Sequence, residues 1–143
     1  MANAFSDYME AQILNWFKGT SIVASPSTLY VGLMTALPAD TGTAGAPADG
    51  TEASGTSYAR VAVTSASGWS ALSVVNSTQQ HITNSGTITF PQAGGSWGTI
   101  IGYGIYSAST AGNLICYGSV TSQAITTGMT PSFAAGQIDI AVD

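Results

Sequence analysis

Residues 5–18, FSDYMEAQILNWFK, place Met9, Ile13, Trp16 and Phe17 on one face at helical spacing, with Phe5 and Leu14 near its edges. Ser6 suits the N-cap, and Gly19 suits the residue that stops a helix. Asp7 and Glu10 lie in the first turn, where the helix dipole favours acids, and Lys18 lies in the last, where it favours a cation. The pattern predicts a helix over 5–18 within an N-terminal arm of residues 1–19. Its apolar, aromatic stripe can be covered in two ways. The commoner is packing on the chain's own sheet; the sharper is docking on a neighbouring subunit.

After Gly19 the period changes from helical to two. Thr28–Thr35 sets Leu29, Val31 and Leu33 against Tyr30, Gly32 and Met34. Tyr58–Thr64 is a second strand, and Leu72, Val74 and Val75 mark a short one. His81–Phe90 places Ile82, Asn84, Gly86, Ile88 and Phe90 on one face, and Pro91 ends it. Trp97–Ser107 is the strongest β segment; Gly102 and Gly104 in it permit close backbone approach. Ala108–Asn113 is a turn, with Gly112 and Asn113 suited to positive φ, and Leu114–Val120 returns as the hairpin partner. Ala124–Ile125 is a further short strand. In Gln137–Val142, Ile138, Ile140 and Val142 are expected to face the core, and Asp139 and Ala141 to face out.

Residues 36–57 are nearly all turn formers and predict one long exposed loop, either mobile or an arm that drapes over a neighbour. The whole predicts one domain, residues 1–143, of the mainly β class. The expected architecture is an antiparallel β-sandwich (jelly-roll-like) or an open barrel of about seven or eight strands with one N-terminal helix. Strands do not alternate with helices, so a parallel sheet is not expected.

Charge narrows the function. The 143 residues carry two cations, Lys18 and Arg60, and seven acids, so 6% are charged, where about 25% is usual. Two cations cannot neutralise a row of phosphates, and they give no electrostatic hold on a membrane. Neither nucleic acid nor membrane is an expected partner. A neutral polar surface is cheap to bring against copies of itself, because few charges need desolvating. The start MANAFSDYMEAQ lacks the basic and apolar regions of a signal peptide, and Cys116 has no intrachain partner. Folding in a cytoplasm, with Cys116 as a small buried hydrophobe, is the expectation.

Catalytic chemistry finds little support. A triad would need His81, the single histidine, and no GxSxG elbow is present. One His, one Cys and scattered acids make no metal cluster. Among the acids, Asp139 alone sits on a firm strand. No enzyme, cofactor or metal is predicted. Arg60, the one guanidinium, should meet a carboxylate, a backbone carbonyl or an aromatic face; Glu52 is its candidate partner in a latch closing the loop on the sheet, and an intersubunit contact is the other reading. Trp16, Phe17 and Trp69 are candidate subunit-interface residues. Trp69, beside Gly68, is the aromatic expected to be most exposed and the one a carbohydrate-binding face would use.

The blocks GTSYARVAV and FPQAGGSWGTIIGYGIYSASTAGNL, with the N-terminal FSDYMEAQILNWFKG and the closing FAAGQIDIAV, resemble small β-rich structural proteins of tailed bacteriophages. That group takes in phage tail fibre proteins and capsid cement or decoration proteins. Glu52, Tyr58, Arg60, Phe90, Pro91, Trp97, Gly98, Gly104, Gly112, Asn113 and Leu114 carry the resemblance. It implies a non-enzymatic virion protein on the outside of the particle, assembled in the host cytoplasm. The implied partners are the major capsid protein or tail proteins, and the implied state is a homo-oligomer, expected to be a trimer. A compact unit without shaft repeats, with two arms, fits capsid cement first. A tail fibre or tail-associated protein in host attachment, with carbohydrate as its candidate ligand, is the alternative.

Overall fold

A computed structural model describes residues 3–38, 50–75 and 79–142. Along the chain these form β1 (Asn3–Phe5), α1 (Asp7–Phe17), β2 (Thr28–Ala36), β3 (Thr51–Glu52), β4 (Val61–Thr64) and β5 (Ser73–Val75). There follow β6 (Gln79–Thr83), β7 (Ile88–Thr89), β8 (Gly98–Tyr106), β9 (Leu114–Ile125), β10 (Ser132–Phe133) and β11 (Asp139–Val142). The main sheet runs β1-β9-β8-β2, and β3 and β4 share the far edge of β2. A three-stranded sheet, β11-β6-β5, and a ribbon, β10-β7, complete the β structure. Every pairing is antiparallel, and the sheets are open, so the fold is a sandwich and not a closed barrel.

The alternation read in β2 and β8 builds the core. Val31 pairs with Ile105 and Leu33 with Tyr103, and all four are buried. Trp97, Phe90, Ile88 and Ile138 join them. Each such side chain contributes about 1.5–3 kcal/mol on full burial. The opposite face of β2 and β8 is covered too. Met34 and Tyr106 are buried there. Central strands covered on both faces need small residues where the covering chain comes close.

The segment 81–90, expected as one strand, is two. Asn84, 1% exposed, interrupts it. Its Nδ2 donates to Gly86 O (2.8 Å) and Ala134 O (2.9 Å), and its Oδ1 accepts from Ile138 N (2.8 Å). These bonds replace ladder pairing, and the chain passes from the three-stranded sheet into the ribbon. In contrast, 114–125 is one strand where two were expected. Ile100 pairs with Gln123 and Gly102 with Ser119, so β9 carries extra residues there as a bulge. Ile138 is fully buried and Ile140 packs on the core, whereas Val142 is 46% exposed, unlike the inward position expected for it.

Helix α1 has the caps expected. Ser6 is the N-cap, its Oγ accepting from Met9 N (3.4 Å), and Gly19 has φ +70. Ser6 also fastens the helix start: its N–H donates to Ile115 O (2.9 Å) and its hydroxyl to Leu114 O. The stripe meets the chain's own sheet only at its start, where Met9 is half-buried against β9 and β1. No residue of α1 is buried, and Leu14, Trp16 and Phe17 are 63%, 63% and 74% exposed. The helix is held at its first turn and leaves the protein at its last. Of the expected loop at 36–57, residues 39–49 lie outside the described residues, Asp40 and Asp49 among them.

Candidate functional site

Two strands and a hairpin turn meet over Gly32 and Gly104, which pair across β2 and β8. A Cβ on Gly32 would stand 2.8 Å from Glu52 Oε1, and one on Gly104 would stand 2.8 Å from the Tyr106 ring. The missing side chains form the floor of a polar cluster. Arg60 lies over it, its Cζ 3.5 Å from the centroid of the Tyr106 ring. Arg60 Nε donates to Glu52 Oε1 (2.8 Å) and Nη2 to Glu52 Oε2 (2.7 Å), the bidentate geometry that a guanidinium favours. Nη1 donates to Ala108 O and Ala111 O, both at 2.7 Å, in the turn between β8 and β9. That turn holds Ala111 and Gly112 at positive φ.

Tyr58 completes the cluster. Its hydroxyl donates to Glu52 Oε1 (2.8 Å) and accepts from Leu33 N (2.9 Å). Leu33 lies between the stretches of β2 that β4 and β3 pair with, so the phenol satisfies a ladder donor that neither strand reaches. Burial, with the nearby charge of Glu52, raises the Tyr58 pKa and pushes that of Tyr106 up to about 12. Burial pulls the Arg60 guanidinium downward, but the hydrogen bonds and charge of Glu52 outweigh it and keep Arg60 above its ordinary value. The cluster is therefore a partly buried ion pair with every arm of Arg60 occupied. It has the chemistry of a fastening, with no nucleophile and no open coordination position.

His81 and Asp139, considered separately in the sequence, stand together. His81 Nδ1 is 2.9 Å from Asp139 Oδ1, joining β6 to β11, and Tyr103 donates its hydroxyl to Asp139 O (3.1 Å). Cys116 is buried in the core, where desolvation pushes its thiol up to about 12, well away from a reactive thiolate. The described residues contain no group of three or more His, Cys, Asp or Glu placed to hold a metal ion. No described helix is long and apolar enough to cross a membrane.

The three aromatic interface candidates separate. Trp16 and Phe17 are exposed and meet edge-on, ring centroids 5.1 Å apart. Trp69 is half-buried, packs against the core and bridges Asn84, so the exposed position expected of it is corrected. Its buried Nε1 has no hydrogen-bond partner among the described residues. A feature the sequence pattern did not reveal is a groove of about 900 Å³ between the second half of β9 and residues 129–137. Leu33, Ile100 and Ile125 line it with Met129 and Phe133, and none of its lining side chains is ionisable. Tyr58, Tyr106 and the carbonyls of Ala108 and Ala111 were likewise not singled out as partners of Arg60. The glycines at 102 and 104 were the available sign that something lies close over β8.

The structure thus combines an all-antiparallel sandwich, an Arg60–Glu52 fastening, an exposed aromatic helix end and a groove without ionisable lining. The family model described as Podophage GP4 fiber I protein gp80 matches residues 4–141, nearly the whole chain. The chain belongs to this family of small phage fibre proteins. It is thus a phage virion structural protein, and the match favours the fibre alternative over the capsid cement expected first. Membership implies a component of the particle exterior. No curated protein matches the chain.

Proposed function

We propose that the protein is a fibre or tail-associated subunit that takes part in host attachment, present as a homo-oligomer, expected to be a trimer, and bound to other tail proteins of the virion. The observation that carries this is the fibre-family match over residues 4–141. The fold supports it: Leu14, Trp16 and Phe17 form an exposed apolar end of α1 on a chain with nine charges, two cations plus seven acids. Such a surface is suited to burial against protein. Arg60 and Glu52 serve as the latch that fixes the 108–111 turn on the sheet. No catalytic role is assigned to His81 or Asp139. The half-buried Trp69 removes the exposed aromatic on which carbohydrate binding by that residue rested.

Antibody labelling of purified particles tests the proposal. Label at the tail, in a handful of copies, is the expected result, and pre-bound antibody should slow adsorption to host cells. Label spread over the capsid in hundreds of copies would return the protein to the cement class. Absence from the particle would remove the virion role altogether.

A further inference from the structure

The groove between the second half of β9 and residues 129–137 has a closed floor and two polar walls. Leu33, Ile100 and Ile125 form the floor, each 3% exposed or less, so a protein partner would find little apolar surface there to cover. Ser119, Thr121 and Gln123, at alternate positions of β9, line one wall, and Thr130, Ser132 and Gln137 line the other. Hydroxyls and primary amides each both donate and accept, which complements a ligand that is itself rich in hydroxyl groups. The two amides are already aimed. Gln137 Oε1 accepts from Ala134 N (2.6 Å), which leaves its Nε2 to donate, and Gln123 Nε2 donates to Ala124 O (3.1 Å), which leaves its Oε1 to accept.

Phe133 adds a flat apolar surface. It is half-buried, and Phe90 and Tyr103 brace it edge-on, with ring centroids 6.2 and 5.8 Å away. A ring fixed in this way suits the C–H face of a pyranose. Charge narrows the ligand further. Among the described residues that line the groove none is ionisable, and Lys18 and Arg60, the two cations of the chain, both lie outside it. A phosphate or carboxylate would give up its hydration there without meeting a cation, and an ammonium would meet no carboxylate. The volume, about 900 Å³, falls within the roughly 300–1,000 Å³ of small-ligand sites.

We propose that this groove binds a short neutral oligosaccharide, held by the hydroxyls and amides of its walls with one sugar ring against Phe133. This deepens, and rests on, the reading of the protein as a fibre subunit in host attachment: it assigns the groove to that contact and an uncharged glycan to the groove.

The test uses the full chain on an array of oligosaccharides of neutral hexoses, deoxyhexoses and N-acetylhexosamines, printed beside uronic, sialic and phosphorylated ones. Neutral glycans should be bound and acidic ones should not. Gln123→Ala and Gln137→Ala should each weaken the binding by about threefold to tenfold, the effect of one lost hydrogen bond. Thr121→Trp, which fills the groove from an exposed position, should abolish it, and Trp69→Phe should leave it intact. Circular dichroism should be the same for all. Gln123→Ala decides the matter if Gln137→Ala loosens the 134–137 turn, because Gln123 bonds only to its neighbour Ala124 among the described residues. An array on which no neutral glycan binds overturns the proposal. So does a preference for acidic glycans, or neutral binding that Gln123→Ala and Thr121→Trp leave unchanged. Binding of an extended Val-Thr repeat peptide in place of every glycan would give the groove to a strand and overturn it equally. Tail label on particles with a blank array would overturn the glycan site and keep the fibre reading, whereas absence from the particle would remove that reading whatever the array shows.

Discussion

Arg60 has a side chain 8% exposed, and Phe17 is 74% exposed. Each is the reverse of the usual placement for its chemistry. The outer face of the main sheet joins an ion pair, a phenol and two turn carbonyls, and satisfies all of them. Helix α1 shows water two aromatic rings and leaves most of their apolar surface uncovered. The difference marks two jobs. Groups around Arg60 complete their interactions within one chain and give it shape. Groups on α1 are left largely uncovered within one chain.

The contrast can be broken most severely at Arg60. Arg60→Ala strips Glu52 of its partner and frees the 108–111 turn, and should cost about 1–3 kcal/mol in a denaturant melt, less than a fully buried pair because a quarter of the Glu52 side chain meets solvent. Arg60→Lys should recover part of this, because an ammonium cannot hold both carboxylate oxygens and two carbonyls in one plane. A loss near zero for Arg60→Ala would show that the pair is solvated and that the cluster fixes nothing.

Alkaline pH attacks the same region. Tyr106 ionises near its ordinary 10.0 when unfolded and at about 12 when folded. Its contribution is therefore fully present below about pH 10 and is lost as pH rises to about 12, because the unfolded chain releases the proton first. Tyr58 and Tyr103 are shifted in the same direction, chiefly by burial. Thermal stability should fall steeply over that window, and Tyr106→Phe should soften the fall. An unchanged alkaline profile in that variant would remove Tyr106 as a cause.

Tyr58→Phe should cost about 1–2 kcal/mol, since it leaves Leu33 N without its acceptor and takes one donor from Glu52. The smallest effect belongs to α1. Trp16→Ser or Phe17→Ser should change the stability of the dilute monomer by no more than about 0.5 kcal/mol, as for other exposed positions. A larger loss would mean that the helix end is covered inside the chain, and the contrast would then collapse.

How far these regions could be read from sequence differs in an instructive way. Local signals were sufficient for α1: Ser6, the first-turn acids and Gly19 define its ends by their own backbone chemistry. The face of the helix was legible, but periodicity says only that a stripe will be covered, not by which molecule. The alternation of β2 and β8 gave the core residues Val31, Leu33, Tyr103 and Ile105 for the same local reason. Asn84 was not legible as a break, because its partners Ala134 and Ile138 are some 50 residues away and its own position fits the alternation. Arg60 and Glu52 are close enough in sequence to suggest one another. Tyr106 and the carbonyls of 108 and 111 reach them only through the register of β2 on β8, which no short window contains. The groove depends on the bulge in β9 and the course of residues 129–137, and had no sequence signature.

The four hydrogen bonds that hold Arg60 also shape how the chain meets a protease. Trypsin cuts after Lys or Arg, and this sequence offers two such positions. One of them, Arg60, is clamped with its side chain out of reach. The folded protein therefore presents a single scissile bond, Lys18–Gly19, at the exposed end of α1. Limited digestion should nick the chain between the aromatic helix and β2 and stop there, and any cover placed over the helix end by assembly would be read directly as protection of that bond.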